Sequence, residues 1–429
     1  MSDTIYALST APGRAGLAVV RVSGGQAFRA LLALTGRSEF TARQATLARL
    51  PGIDDALVLW FPGPASFTGE DVAEFHVHGG RAILEALFAA LRALPGLRPA
   101  EPGEFTRRAV EHGKLDLTRA EALADLIDAE TESQRRQAQR QYEGGLAALI
   151  DGWRDRLIHA AAWAEASIDF ADEEIPDDVL MRSRLALAQI AEEIATHLDD
   201  ARCGEIIRNG VHLTLFGKVN AGKSSLLNAL ARRNVAIVSP APGTTRDVIE
   251  VHLDLGGYAV IVSDTAGLRN SSEAVEAEGV RRAMDRVMGA DIKLLVLDGA
   301  AADPLADLPD ITPDLIVWNK ADLPWPVRRD GLAISAQTSQ GLEALIESLT
   351  DIIKQHLENK QNSPITTRAR HRHALEAAAT ALARALAAGD RELMAEDLRL
   401  ALRALGRITG RVDIEDLLDI VFRDFCIGK

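Results

Sequence analysis

The densest chemistry in the sequence is a glycine loop suited to phosphate. An apolar, strand-like run at 211–216 (VHLTLF) meets Gly217-Lys-Val-Asn-Ala-Gly222-Lys223-Ser224, after which Ser-Leu-Leu-Asn-Ala-Leu favours a helix. Glycines let backbone N–H groups wrap a phosphate, and the helix N-terminus adds positive potential. In this G-x4-G-K-S spacing Lys223 reaches the terminal phosphates and the Ser224 hydroxyl ligates Mg²⁺, with Asn220, Ala221 and Ser225 completing the loop. A glycine loop that holds no nucleotide is the bland alternative; a strand on one side and a helix on the other argue against it.

Four further signals follow in the order a nucleotide switch needs. In Gly243-Thr244-Thr245-Arg-Asp247, Thr245 supplies a second hydroxyl to Mg²⁺ and senses the γ-phosphate. A strand-like run at 259–263 ends in Asp264-Thr265-Ala266-Gly267, where Asp264 is the metal-linked carboxylate and Gly267 offers its N–H to the γ-phosphate. The run 315–318 leads to Asn319-Lys320-Ala-Asp322, whose Asp322 carboxylate accepts from the N1–H and exocyclic amine of guanine. Ile334-Ser335-Ala336 then places a backbone N–H near the guanine O6. These loops predict a GTPase. An ATPase is the alternative, and it differs at Asp322: changing that residue to Asn shifts a guanine site towards xanthine and leaves an adenine site unmoved.

These loops need a sheet, and the rest of the chain needs a body to which that sheet is attached. Residues 1–118 read as an α/β unit, with strands at 17–22 and 56–61, a less cleanly alternating run at 71–78, and a helical stripe at 81–94. Polar, glycine-marked loops lie between them, including 67–71, 76–80, 103–106 and 113–116. His76 and His78 share one strand face, but no second ligand pair at metal spacing accompanies them. Arg21, Glu74 and Lys114 allow a small-molecule site, or are three surface charges. From 119 to 209 and again from 358 to 429 the periodicity is helical, so the chain reads as one all-α domain split in sequence, with the GTPase inserted at 210–357. An inserted switch has both ends fixed to helices, which lets a change at phosphate be transmitted through them.

Bulk numbers narrow the function classes. The 429 residues are 47% hydrophobic, 4% aromatic and 26% charged, ordinary for a globular, helix-rich protein. No apolar stretch reaches the ~18 residues of a membrane span. Cys203 and Cys426 are the two cysteines, and MSDTIYALST lacks the features of a secretory signal, so a reducing cytoplasm is expected. A net charge of −14 disfavours a generic polyanion binder, so contact with nucleic acid has to come from a local patch or through a partner. The terminal Phe425-Cys426-Ile-Gly-Lys429 is no prenylation box, because Gly428 is not aliphatic and Lys429 is not an accepted last residue.

Taken together, the motifs resemble the MnmE (TrmE) tRNA-modification GTPases along essentially the whole chain. The carriers are Asp3-Thr-Ile5, Val20-Arg-Val-Ser-Gly24, Phe67-Thr-Gly-Glu-Asp71, His78-Gly-Gly80, Pro102-Gly-Glu-Phe-Thr106, Gly113-Lys-Leu-Asp-Leu117, the GTPase loops and the terminal Phe-Cys-Ile-Gly-Lys. The resemblance implies a multidomain fold: an α/β N-terminal folate-binding and dimerisation domain (1–118), a discontinuous helical domain (119–209 and 358–429) and an inserted Ras-like α/β P-loop GTPase domain (210–357). It implies a homodimer that works with the flavoprotein MnmG, which carries FAD. The pair would add an aminomethyl or carboxymethylaminomethyl group at C5 of the wobble uridine of certain tRNAs. Arg21, Glu74, Lys114 and Lys429 match positions that bind a tetrahydrofolate such as 5-formyltetrahydrofolate, and Cys426 matches a thiol near it. Asn220 matches a K⁺ ligand, and Ser239, Ala241 and Thr244 match the loop capping that ion, which stands in for an arginine finger. Leu268 occupies the place where Ras-like enzymes carry glutamine, and the family's water-orienting glutamate falls on Glu276. A rival of another class remains at this point: a GTPase switch that docks on ribosomal RNA or protein and does no one-carbon chemistry, distinguished by whether 5-formyltetrahydrofolate binds.

Overall fold

The computed structural model describes residues 3–169, 177–200, 202–233, 235–237, 250–264, 281, 284–306, 308–326, 331–358, 366–412, 418 and 428. Two compact units emerge: Met1–Ala124 with Gln141–Leu187 and Thr380–Lys429, and Asp125–Arg140 with Ala188–Ala379.

The first unit begins with strands β1 (Thr4–Leu8) and β2 (Ala15–Ser23), helix α1 (Ala27–Thr35), and strands β3 (Thr46–Leu50), β4 (Asp54–Phe61) and β5 (Val72–Gly79). Helix α2 (Arg81–Arg92) and strand β6 (Leu97–Pro99) follow. The sheet order is β3-β4-β5-β2-β1-β6, antiparallel except where β6 runs parallel to β1. Alternation buries Ala56, Val58 and Trp60 of β4 and Phe75 and Val77 of β5, against which α1 and α2 lay Leu31, Leu87 and Leu91. Each such buried leucine contributes about 1.5–3 kcal/mol.

Helices take over after the sheet: α3 (Glu104–Glu111), α4 (Leu117–Asp128), α5 (Glu132–Tyr142), α6 (Gly145–Asp169), α7 (Asp177–Leu198) and α8 (Cys203–Asn209). One departs from the sequence reading. The stretch 103–106, expected as loop, opens α3 behind Gly103, whose φ of 67° turns the chain into the helix. Helix α5 lies within the stretch read as helical although it has no apolar stripe: Ala138 is its one buried apolar residue, and Glu132 paired with Arg135 and Arg136 at one-turn spacing supports it.

The second unit carries β7 (Val211–Phe216), α9 (Lys223–Ala231), β8 (Glu250–Leu255), β9 (Tyr258–Asp264), β10 (Ile292–Asp298), β11 (Leu315–Asn319), β12 (Leu332–Ala333) and helix α10 (Leu342–Glu358). Its sheet runs β12-β11-β10-β7-β9-β8, parallel except for the β8–β9 hairpin. That hairpin turns at Gly256-Gly257, both at positive φ (63° and 89°), a conformation that favours glycine. Leu213, Leu215, Val260, Val262, Leu294, Val296 and Val317 form a core that α10 covers with Leu345, Leu349 and Ile353.

Helices α11 (Ala369–Ala387) and α12 (Arg391–Thr409) follow. In the first unit α12 pairs with α6, Arg399 meeting Glu165 at 2.9 Å and Arg411 meeting Asp151 at 2.7 Å. In the second unit, residues flanking the sheet on both sides in sequence are tied by carboxylates, of which Asp200 and Glu205 are buried and Asp125 is partly buried. Asp125 accepts from Arg208 (2.9 Å) and Arg368 (2.7 Å). Arg372 donates to Glu205 (2.7 Å) and Asp200 (2.6 Å), and the Thr366 hydroxyl donates to Asp200 (3.0 Å). Segments preceding and following this sheet are therefore tied to each other by ion pairs within each unit. Among the described residues, no helix is long and apolar enough to cross a membrane.

Candidate functional site

In a parallel sheet, loops at the carboxyl ends of the strands converge on one edge. Here β7 ends in the glycine loop, β9 in Asp264, β10 in Asp298 and β11 in Asn319. The loop's backbone explains its glycines. Gly222 has φ 93°, and a Cβ there would run into the Asn319 side-chain amide; Gly217 has φ 136°, with the Val296 carbonyl in the way of any Cβ. Asn220 also lies at positive φ (62°) and is exposed.

Helix α9 begins at Lys223, so the loop's N–H groups lie at its positive end. Lys223 is 6% exposed, and its Nζ donates to the Gly217 and Lys218 carbonyls at 2.9 Å each. The ammonium is thus held at the loop's own backbone, where an anionic phosphate would be a stronger acceptor than a carbonyl. The Ser224 hydroxyl donates to Asp264 Oδ2, which brings together two oxygens of the kind a hard cation takes.

The base-side loop is braced on the phosphate loop. Asn319, 2% exposed, donates through Nδ2 to the Ala221 carbonyl (2.8 Å) and accepts at Oδ1 from the Ala336 N–H (3.0 Å). One side chain therefore fixes three of the expected loops against each other. Asp322 is exposed, with one oxygen taken by the Ser335 hydroxyl, which also accepts from the Thr338 N–H at 3.1 Å. Lys320 pairs with Asp298 at 2.6 Å. Sequence reasoning missed Asp298, although a carboxylate ending an apolar parallel strand was a usable signal. Trp325 was missed too; its indole N–H donates to the Lys320 carbonyl at 3.0 Å.

A second cluster lies on the antiparallel sheet. Arg21 of β2 faces Glu74 of β5 in register, with Nε 3.0 Å from Oε1, and His76 Nε2 lies 3.2 Å from the other oxygen. The His76 hydrogen bond, against burial and with the help of the Arg21 charge, holds the Glu74 carboxyl below the ordinary glutamate value. The Arg21 guanidinium lies over the rings of Phe67 and Phe105, 5.6 and 5.9 Å from their centroids, a cation–π arrangement that no spacing announced. His78 turns away to Asp54 at 2.9 Å. Lys114 is apart from Arg21 and Glu74 in its hydrogen bonding: its Nζ donates to the Pro64 carbonyl at 2.9 Å. Near the end of the chain, the Gly428 carbonyl accepts from the Ser9 hydroxyl at 3.1 Å, next to β1.

Ser239, Ala241, Gly243, Thr244, Thr245, Thr265, Ala266, Gly267, Glu276, Cys426 and Lys429 lie outside the described residues.

Comparison with known proteins covers the whole chain. The family model described as the MnmE helical domain matches residues 117–426, and the one described as the GTP-binding protein TrmE N-terminus matches residues 4–114. The chain is 55% identical over 441 residues to a tRNA modification GTPase MnmE of Parvibaculum lavamentivorans, covering 100% of both. It is 54% identical over 445 residues to that of Paramagnetospirillum magneticum, again covering 100% of both. With that of Rhodospirillum rubrum it shares 53% over 455 residues, covering 100% of this chain and 99% of the other.

Proposed function

The chain belongs to the MnmE (TrmE) family, and from that premise we propose that it is a potassium-activated GTPase which, with the flavoprotein MnmG, modifies C5 of the wobble uridine of certain tRNAs. The group added is aminomethyl or carboxymethylaminomethyl, with carbon from a tetrahydrofolate. The observation that carries the nucleotide half is Asn319, which joins the phosphate loop to the base-side loop. A guanine nucleotide spans just those two loops, so its phosphates and its base meet a prepared frame.

The residues fit the groups this reading requires. A Cβ at Gly217 or Gly222 would collide with the Val296 carbonyl or the Asn319 amide, so glycine at both positions lets the loop keep the shape that would present its N–H groups to a phosphate. Ser224, with Thr245, would hold Mg²⁺ beside Asp264, and the ion would offset charge on the β- and γ-phosphates. Lys223 places its ammonium at the same loop, and Asp322 selects guanine by accepting from two N–H groups. Asn220, with Ser239, Ala241 and Thr244, would hold K⁺, whose charge would stabilise negative charge on the phosphates. Glu276 would orient the attacking water.

On the antiparallel sheet, Glu74 is kept ionised and lies beside the Arg21 guanidinium with Phe67 and Phe105 against it. An acceptor pair, a cation and two aromatic rings suit a flat, amide-bearing pterin; Lys114 and Lys429 would take its carboxylates. The tetrahydrofolate, when bound, supplies the one-carbon unit. Cys426 is assigned a place near it, the working form is a homodimer, and the compartment is the cytoplasm.

Nucleoside analysis of tRNA from cells lacking this chain tests the reading. The wobble modification should vanish, return with the wild-type chain, and fail to return with Lys223→Ala. Unchanged modification in the deletion would overturn it.

A further inference from the structure

A cavity of about 310 Å³ in the first unit is lined by Lys114, Asp116 and Arg119 from the α3–α4 turn, and by Thr409, Gly410 and Arg411 where α12 ends. Three of these six residues are cations and one is an anion, so the wall carries a surplus of positive charge. It also holds unsatisfied polarity. Thr409 is 4% exposed and, among the described residues, its hydroxyl has no hydrogen-bond partner. Buried polar atoms without partners are uncommon and point to a group that completes them.

Lys114 also lies along the Phe67 loop. Its Nζ holds the Pro64 carbonyl, and a Cβ on Gly69 would sit 3.5 Å from its Cγ. Between Pro64 and Gly69, Phe67 carries the Arg21 guanidinium over its ring. One lysine thus belongs both to the cavity and to the loop beside the Arg21–Glu74 pair.

We propose that the cavity receives the poly-γ-glutamate tail of a tetrahydrofolate, an inference that rests on the one-carbon reading above. A γ-glutamyl chain alternates carboxylates with amide N–H donors, and the wall alternates in kind. Arg411 and Arg119 already face carboxylates, Asp151 at 2.7 Å and Asp116 at 3.5 Å, so both cations are oriented for that group. The Thr409 hydroxyl donates or accepts, and Asp116 only accepts. A phosphodiester offers acceptors alone and would meet Asp116 unfavourably. The tail needs no change of bonding to bind; it exchanges water and the local carboxylates for its own.

The test titrates the full-length chain with 5-formyltetrahydrofolate as mono- and pentaglutamate. Wild type should bind the pentaglutamate about tenfold more tightly, and salt should erode the difference. In the double variant Arg119→Gln/Arg411→Gln the preference should fall below about twofold while monoglutamate affinity stays as it was. Arg411→Lys, which keeps the charge, should retain most of the preference, a readout that altered folding would not reproduce. Equal binding of the two forms by wild type, or a preference that survives the double variant, overturns the tail site and leaves the one-carbon reading standing. Binding of neither form by wild type removes that reading and the tail site with it. Loss of tRNA affinity in the double variant with the tail preference intact would identify a phosphate site and overturn the proposal.

Discussion

Two six-stranded sheets carry this chain's two candidate sites, and they do so in opposite ways. In the second unit the chemistry sits at one edge of a mostly parallel sheet, where the ends of β7, β9, β10 and β11 bring their loops together. In the first it sits across the face of a mostly antiparallel sheet, where Arg21 and Glu74 are partners on adjacent strands. The edge site is built largely from backbone: positive φ at Gly217, Asn220 and Gly222, with Asn319 bracing the loops. The face site is built from side chains, Arg21, Glu74, His76, Phe67 and Phe105. A backbone site has to fix residue spacing, whereas a face site needs only the right side chain at each of a few scattered positions.

If the two sites are separate constructions, damage to one should leave ligand binding at the other intact. The largest effect is expected from Lys223→Ala, which removes a charge-assisted contact to phosphate and should weaken GTP binding by about a hundredfold or more. Titration with 5-formyltetrahydrofolate should be unchanged in that variant; a parallel loss would mean the sites share a fold-wide dependence. Glu276→Ala is the next largest. Turnover should drop by about a hundredfold or more with GTP affinity kept, since orienting water matters in the transition state and not in binding. Normal turnover would exclude Glu276 from that role. The reciprocal change, Arg21→Gln, should cost folate binding about tenfold and leave basal GTP hydrolysis as it was.

How far each site could be read in advance follows from the same contrast. The glycine loop, Asp264 and the Asn319–Asp322 run stood out because strand, turn and helix were contiguous, and the structure sets β7, β9 and β11 where those runs were read. That Asn319 joins Ala221 to Ala336 was not legible, because residues nearly 100 positions apart meet only through the parallel order of the sheet. The sequence allows Arg21 and Glu74 in one small-molecule site with Lys114, but only the β2–β5 register places the two opposite each other. Helix α5 falls inside the span read as helical, but its bounds are not legible, because periodicity reports an apolar face and Glu132, Arg135 and Arg136 provide charge pairs instead. β1 and β3, five residues each, are too short for alternation to assert itself.

The smallest expected effect separates a carboxylate that serves a site from one that serves the frame. Glu74 and Glu205 both titrate below the ordinary glutamate value of 4.5. For Glu205, burial pushes the other way, and hydrogen bonds from Arg372 and Arg202 outweigh it. A depressed folded-state value means that each charge contributes stability in full above 4.5, and that this contribution is lost as pH falls through the lower folded-state value. Glu205→Gln should therefore destabilise the protein at neutral pH, where Arg372 and Arg202 lose their charged partner, and the penalty should shrink as acid protonates the wild-type carboxyl. Thermal unfolding of wild type and variant across that range measures the closing gap. Glu74→Gln should behave alike in stability, yet it alone should weaken the folate titration at neutral pH. A Glu205→Gln penalty that is the same in acid as at neutrality would show that the charge contributes nothing there. The frame would then be held by packing and neutral hydrogen bonds, and the contrast between a charged strut and a charged site would reduce to the site alone.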